Sequence, residues 1–233
     1  MKNKALLFAI LPLLLISCAG TQTASISQKD SAKLAGASVY LSHGPMPPFQ
    51  VMTAGKVAGM ALTGMVAGIA SGNSALGTQM TTYNMQEASQ RNETQLSDPA
   101  PYIAAQLGEQ LKSSKGARTS PSSTLVKSDR PNAITKAAAG YDYALDVRTL
   151  GWTGVYMPLN WLKYRFIYAS RCQLIETKTN RVVASSDFFD RGDDVEPVNY
   201  DEFTKNNYER IRGEVKKHEA ASKSLFATKV LGL

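Results

Sequence analysis

The stretches YDYALDVRTLGW (residues 141–152) and YRFIYASRCQLIETKTNRVVASSDFF (residues 164–189) decide the fold of this chain. Apolar and polar residues alternate along both stretches, and alternation of period two is typical of a strand with one buried face. The polar residues 177–180 interrupt the second stretch where a hairpin turn would join two strands. Consecutive strands joined in this way predict an antiparallel sheet, with Cys172 on its aromatic face.

The flanking segments predict one more strand and two long helices. Residues 37–41 indicate a first strand, which a proline-rich turn ends. Asp98 and the prolines after it are typical of a helix start, and Gly116 is typical of its end. A long helix is expected over residues 200–230, with a break near Gly213.

Together these elements predict an α+β fold. A short strand at residues 124–127 completes the set. We expect an antiparallel sheet of three to five strands, covered by helices in a two-layer sandwich. Residues 37–50 then hold the first strand and its turn, and residues 98–233 form the main α+β domain.

Residues 51–77 are rich in glycine, and Lys56 is the only charged residue between residues 51 and 86. The glycines recur at spacing four in two ladders: Gly55 and Gly59, then Gly64, Gly68 and Gly72. On a helix this spacing keeps small residues on one face, where a partner backbone can approach closely. Each glycine costs about 1 kcal/mol relative to alanine in a helix in water. The pattern predicts one Gly-rich hydrophobic helix that either spans a membrane or packs tightly within protein.

Residues 1–17 begin with two lysines, continue with a short apolar run and end with small residues, a layout typical of a secretory signal peptide. Residues 15–18, LISC, resemble the lipobox of bacterial lipoproteins. That resemblance implies cleavage before Cys18 and fatty chains on its sulfur. An ordinary signal peptide followed by a chance cysteine is the alternative. We expect residues 18–36 to form the lipidated cysteine and a flexible tether.

The residue after the lipobox points to a location. It is Ala19, and in lipoproteins of this kind the absence of an aspartate there implies the outer membrane. Two or more acyl chains bind a bilayer stably, whereas one chain binds weakly. We expect an outer-membrane, lipid-anchored protein on the periplasmic face rather than the cell surface.

The charge of the chain limits the classes of binding partner, and its cysteine content limits the disulfides that it can form. The chain has 26 basic and 19 acidic residues, for a formal net charge of +7. Both signs mix through its second half, which suits a surface near anionic lipid headgroups and is unlike a nucleic-acid interface. Because the lipobox resemblance assigns Cys18 to the lipid, Cys172 is expected to have no disulfide partner and to be a buried thiol.

The pattern of titratable residues does not favour catalysis. His43 and His218 are the two histidines, and neither belongs to a nucleophile or metal-ligand motif. The acidic run at residues 187–196 fits no calcium loop and is expected to be a solvated turn. We expect no catalytic residue, metal, cofactor or small-molecule substrate.

The aromatic connection at residues 152–161 has two interpretations. It contains Trp152, Tyr156 and Trp161 and is longer than a hairpin turn requires. Tryptophan and tyrosine suit interfaces, so the connection is either a docking or membrane-contact tip or a segment that folds back into the core.

Two further resemblances suggest a role. The glycine ladder is similar to the glycine-zipper segments of several outer-membrane lipoproteins. The two stretches that decide the fold look like the small periplasmic α/β domains of envelope lipoproteins, including those in curli-secretion-channel and conjugative surface-exclusion families. These resemblances imply ring assembly or partner binding rather than catalysis.

The leading hypothesis is a non-enzymatic envelope protein that associates with itself or inserts into a membrane through the Gly-rich helix. The alternative is an accessory binding module for a transport, secretion or cell-wall partner. An enzyme acting on peptidoglycan or lipid is the least favoured hypothesis. It requires a histidine within hydrogen-bonding reach of both a carboxylate and a hydroxyl.

Overall fold

The computed structural model describes residues 24–52, 96–157 and 163–233. The helices in these ranges are α1 (Gln28–Lys33), α2 (Pro99–Lys115), α3 (Pro131–Ala137) and α4 (Tyr200–Phe226), and a π-helical turn at Ala227–Leu231 follows α4. The strands are β1 (Ser38–His43), β2 (Gln50–Met52), β3 (Arg118–Thr119), β4 (Thr124–Leu125), β5 (Tyr143–Tyr156), β6 (Lys163–Glu176), β7 (Arg181–Asp190) and β8 (Val198–Asn199).

Within the described ranges the strands form one sheet of eight, with the order β3-β1-β5-β6-β7 across its width. Strand β2 also pairs with β5, β4 with β1, and β8 with β6. The antiparallel run β5-β6-β7 confirms the predicted meander. However, β1 and β2 both pair with β5 in parallel, with Val39 opposite Tyr143 and Met52 opposite Val155.

The α+β class is confirmed, but a purely antiparallel sheet of three to five strands is wrong, because the sheet is mixed and has more strands. The partners of β5 on one side come from a distant part of the chain, which no local pattern specifies. Since β1 lies inside the sheet, residues 37–50 belong to the same folding unit as residues 98–233.

The helices lie on both faces of the sheet. Helix α2 and the second half of α4 pack on the face that carries Leu145 and Leu174. Their sequence neighbours Ala144 and Ile175 point to the opposite face and pack against α3. The predicted two-layer arrangement is therefore correct for α2 and α4 and incomplete for α3.

Local signals specify α2 well. Asp98 accepts a hydrogen bond from the Ala100 amide at 3.0 Å and so caps the helix, and Gly116 ends it in the left-handed conformation (φ 64°). Helix α2 approaches β1 closely at Gly108, where a Cβ would lie 2.7 Å from a methyl carbon of Leu41. The predicted cap, length and end of this helix are confirmed.

Helix α4 is interrupted, but not where the sequence suggested. Lys205 has extended backbone angles and the next three residues, Asn206 to Tyr208, have positive φ. Gly213 lies within the regular helix. Asparagine adopts the left-handed conformation at low cost, so the adjacent asparagines were a better signal for the break than the glycine.

Among the helices of the described ranges, none combines the length and the apolar character needed to cross a bilayer.

Candidate functional site

The N-terminal part of the described chain is built into the fold. Ala24 and Ser185 exchange two backbone hydrogen bonds of 2.9 Å at the outer edge of β7. Two residues later, the Ile26 amide donates to the carbonyl oxygen of Lys229. The predicted flexible tether over residues 18–36 is therefore wrong from residue 24 onward.

Helix α1 owes its position to a polar cap and one apolar side chain. The Ser27 hydroxyl oxygen accepts from the Asp30 amide at 3.0 Å, and Leu34 after the helix is fully buried. Asp30 pairs with Arg181 at 3.2 Å and with Lys33 at 3.3 Å. The hydrogen bond from Arg181, followed by the one from Ser27, lowers the pKa of Asp30 to about 2.

We call this region the anchor end: Ala24, α1, the turn at residues 177–180, and residues 227–233. Its parts are joined by polar contacts, since Ser31 donates to the Leu231 carbonyl and accepts from Lys115. The exposed basic side chains of this end are Lys29, Lys33, Lys178, Arg181 and Lys229. Asp30 and Glu176 pair with Lys33 and Arg181, so Lys29, Lys178 and Lys229 give this end its remaining positive charge.

The opposite end of the sheet is aromatic. Trp152, Tyr164, Phe166 and Phe203 are buried there with α4 against them. Phe49 lies edge-on to Trp152, with ring centroids 6.2 Å apart. The complete set that we call the aromatic end is Phe49, Val51, Leu96, Trp152, Val155, Tyr156, Tyr164, Phe166, Tyr168, Phe188, Val198, Phe203, Tyr208, Ile211 and Val215.

The structure favours the core interpretation for two of the three aromatic residues in the predicted docking connection. Trp152 is 1% exposed, and its indole nitrogen donates to the Pro47 carbonyl at 2.7 Å. Tyr156 is 9% exposed and lies against Tyr164. Trp161 falls outside the described residues, and a docking role for it stays a prediction.

The lipidation residue and the helix-packing glycines also fall outside the described residues. These are Cys18, Gly55, Gly59, Gly64, Gly68 and Gly72. Described residues lie on either side of residues 53–95, which contain the glycine ladders. Val51 packs on the aromatic end, and Leu96 is buried in it.

The sheet register gives the separation between the two ends. Ala24 lies beside Ser185, whose register partners across the sheet are Gln173 and then Asp146. Met52 lies beside Val155, nine residues further along β5 with one bulge between. At about 3.3 Å per residue along a strand and about 4.8 Å between strands, Ala24 and Met52 are about 28 Å apart along the strands and about 34 Å apart overall.

The two histidines have different partners. The ring nitrogen Nδ1 of His43 contacts the hydroxyl of Ser123. His218 Nδ1 lies 3.2 Å from the Asp190 carboxylate, and its ring stacks on Tyr168. Burial lowers the pKa of both histidines. His43 contacts a hydroxyl and His218 contacts a carboxylate. The hydroxyl and the carboxylate that a hydrolytic site requires beside one histidine are therefore divided between two.

A buried ion pair is the polar cluster that the sequence pattern missed. Arg148 Nε lies 2.5 Å from Asp146, and the side chains are 8% and 2% exposed. Ser42 donates to the same carboxylate at 2.7 Å, while Arg148 also donates to the carbonyls of Val126 and Ser128. The alternation in β5 placed these two residues on a solvated face, but the loop at residues 126–128 covers them.

Carboxylates of the acidic run face basic partners. Asp187 makes two hydrogen bonds with Arg171 at 2.7 and 2.9 Å, and Asp193 pairs with Arg165. In the described part of the chain no group of three or more His, Cys, Asp or Glu side chains could hold a metal ion. Cys172 is fully buried, and burial raises the pKa of its thiol.

Comparison with known proteins gives distant structural likenesses only. No family model and no curated protein matches the sequence. A Xanthomonas campestris protein of family DUF330 is similar over 55% of this chain and 58% of its own length, at 11% identity and a TM-score of 0.32. This chain thus spans less than two thirds of that protein.

Two further solved structures overlap more of the chain. Lipoprotein GNA1162 from Neisseria meningitidis is 13% identical, with a TM-score of 0.26 over 81% of this chain and 99% of its own. The PelC dodecamer from Paraburkholderia phytofirmans gives 11% identity and a TM-score of 0.29 over 74% and 79% of the two chains. Likenesses at these TM-scores assign neither a location nor a role.

Proposed function

We propose that this chain is a lipid-anchored protein of the bacterial outer membrane that has no enzymatic activity and associates with itself, or inserts into a membrane, through its Gly-rich segment. In this proposal Cys18 holds the protein at the envelope. The two glycine ladders of residues 55–72 provide the packing faces. The α+β domain is the scaffold that carries both.

The observation that supports this proposal most is that the described residues before and after residues 53–95, which contain the glycine ladders, pack on one aromatic cluster. Val51 and Leu96 both pack on the aromatic end. The described residues before and after residues 53–95 therefore lie at the same end of the domain. In this proposal the segment is presented at that end of the scaffold, where copies meet through the same residues.

The absence of enzymatic activity is part of the proposal, and the polar clusters support it. The buried pair of Asp146 and Arg148 is occupied with Ser42 and with loop carbonyls. His218 is enclosed by aromatic rings. These groups are used for packing and for joining elements of the fold.

The oligomeric state of the detergent-extracted protein tests the proposal. Cross-linking of the purified protein is expected to give homotypic products. The double variant Gly64→Leu/Gly68→Leu is expected to abolish them, because leucine on the small face prevents close approach. The matched control is Ala67→Leu/Ser74→Leu, which adds the same side chains between the two glycine ladders of the predicted helix and should retain the products.

Three outcomes decide between the hypotheses. Loss of products in the glycine variant alone supports self-association. Equal products from both variants contradict the glycine ladder as the packing face. A monomer that captures one envelope partner supports the accessory binding module instead.

A further inference from the structure

We propose that the anchor end is a membrane-contact surface for anionic phospholipid headgroups, so that the domain stands on the bilayer with its aromatic end directed away. This inference rests on the proposed lipid anchor at Cys18. It adds an orientation and identifies the surface that meets the lipid. The contact surface consists of α1, the turn at residues 177–180 and the exposed part of residues 227–233.

The length of chain between the anchor and the fold supports this orientation. Ala24 is fixed to β7 by two backbone hydrogen bonds, and six residue steps separate it from Cys18. A fully extended chain of six steps spans about 21 Å at most. The edge of β7 at Ser185 therefore stays within that distance of the acyl chains, whereas Met52 lies about 34 Å from Ala24.

The charge of the anchor end fits an anionic surface. Lys29, Lys178 and Lys229 are exposed and come from three separate segments of that end. Asp30 and Glu176 offset the charges of Arg181 and Lys33, with which they pair, and these three lysines lie outside those ion pairs. An anionic membrane attracts basic residues that lie within about 8 Å of it at physiological salt. The short connection to Cys18 allows these lysines to come within that range.

The orientation has a consequence for the Gly-rich segment. Its apolar core begins at Val57, five residues after Met52, and five residues span about 18 Å at most. In an upright domain Met52 lies about 28 Å further from the membrane than Ala24. The start of this apolar core is then out of reach of the bilayer that holds the anchor, so the whole core cannot insert there, which favours self-association.

Site-specific labelling of the natural lipidated protein tests the orientation. Cys18 is consumed by its acyl chains, and Cys172 is buried with a raised pKa, so an added cysteine is the reactive thiol. Ala32→Cys places a fluorescent label on exposed α1, and Asp194→Cys places one on the exposed loop beyond β7. Both proteins are reconstituted in vesicles of phosphatidylethanolamine and phosphatidylglycerol that carry a headgroup-linked quencher.

We expect quenching of the label at residue 32 and little quenching at residue 194. Equal quenching of the two labels, or stronger quenching at residue 194, would overturn the orientation. Intact mass of each preparation is measured first. Acyl chains on Cys18 with equal quenching contradict this inference alone, whereas a bare thiol at Cys18 contradicts the proposed anchor.

Charge reversal tests the role of the lysines. The triple variant Lys29→Glu/Lys178→Glu/Lys229→Glu should lose the quenching at residue 32 while its acyl chains keep it on the vesicles. The matched triple Lys127→Glu/Lys205→Glu/Lys216→Glu changes the net charge equally at exposed positions outside the anchor end and should retain the quenching. Equal loss in both triples, or full quenching in phosphatidylcholine vesicles, would show that anionic headgroups do not hold this surface.

Discussion

Removal of the Asp146 carboxylate is expected to destabilise the fold more than removal of any exposed ion-pair partner. In Asp146→Ala the guanidinium of Arg148 stays buried, and its 2.5 Å contact with the carboxylate is lost. The Ser42 hydroxyl loses its 2.7 Å acceptor at the same time. Removing one partner of a buried pair costs about 3–5 kcal/mol, because the remaining charge is uncompensated.

The remaining contacts of Arg148 place the expected loss of stability near the lower limit of this range. Its hydrogen bonds to the Val126 and Ser128 carbonyls, at 3.0 and 2.7 Å, are kept in Asp146→Ala. We therefore expect a loss of about 3 kcal/mol. With a urea dependence of about 2 kcal/mol per molar, the unfolding midpoint falls by about 1.5 M. The double variant Asp146→Leu/Arg148→Met removes both charges and should recover part of the loss, because the Ser42 hydroxyl and the two carbonyls lose their partners.

Urea unfolding followed by far-UV circular dichroism measures this effect, in the mature chain with Cys18→Ser to leave out the acyl chains. Glu109→Ala is the control, because Glu109 and Lys112 form an ion pair whose side chains are 66% and 40% exposed. An exposed pair contributes about 0–1 kcal/mol. A loss below about 1 kcal/mol in Asp146→Ala, or a double variant less stable than either single variant, would refute the reasoning.

Three further predictions use single substitutions. Gly154→Ala should lower the stability by about 1–3 kcal/mol in thermal denaturation, since its Cβ would lie 2.5 Å from the buried Phe203 ring. The control Gly151→Ala in the same strand has open space and should be tolerated. Burial raises the pKa of Asp98, so the folded chain binds that proton more tightly and the stability falls as pH rises from about 4. Asp98→Asn keeps the cap and should remove this fall, which urea midpoints measured at a series of pH values would show. Cys172→Ala should lose about 1–3 kcal/mol from packing and leave membrane fractionation unchanged, and loss of localisation in a folded variant would indicate a reactive thiol.

The elements that could be predicted from sequence are those specified by neighbouring residues. Helix α2 begins at an aspartate cap and ends at Gly116, and both signals lie within the helix itself. The turn at residues 177–180 likewise carries its own signal, with Asn180 at positive φ. Residues 200–230 were correctly identified as mainly helical, but the tolerance of asparagine for the left-handed conformation was not weighed.

The elements that were missed depend on distant partners. The parallel pairing of β1 with β5 joins Val39 to Tyr143, and nothing near either residue indicates it. The burial of Asp146 and Arg148 depends on the loop at residues 126–128. Helix α1 was missed because its sequence is polar, although Ser27 and Asp30 have the spacing of a helix cap. The anchor end could not be assembled from sequence for the same reason, since its basic residues come from separate segments.

The central claim is that Cys18 anchors the protein by acyl chains, and intact mass spectrometry tests it most directly. The protein is expressed with its natural N-terminus in a Gram-negative bacterium and purified from the membrane fraction. The account predicts a chain that begins at Cys18 and is heavier than residues 18–233 by the mass of its fatty chains. A retained Met1, or residues 18–233 with an unmodified thiol, would contradict it.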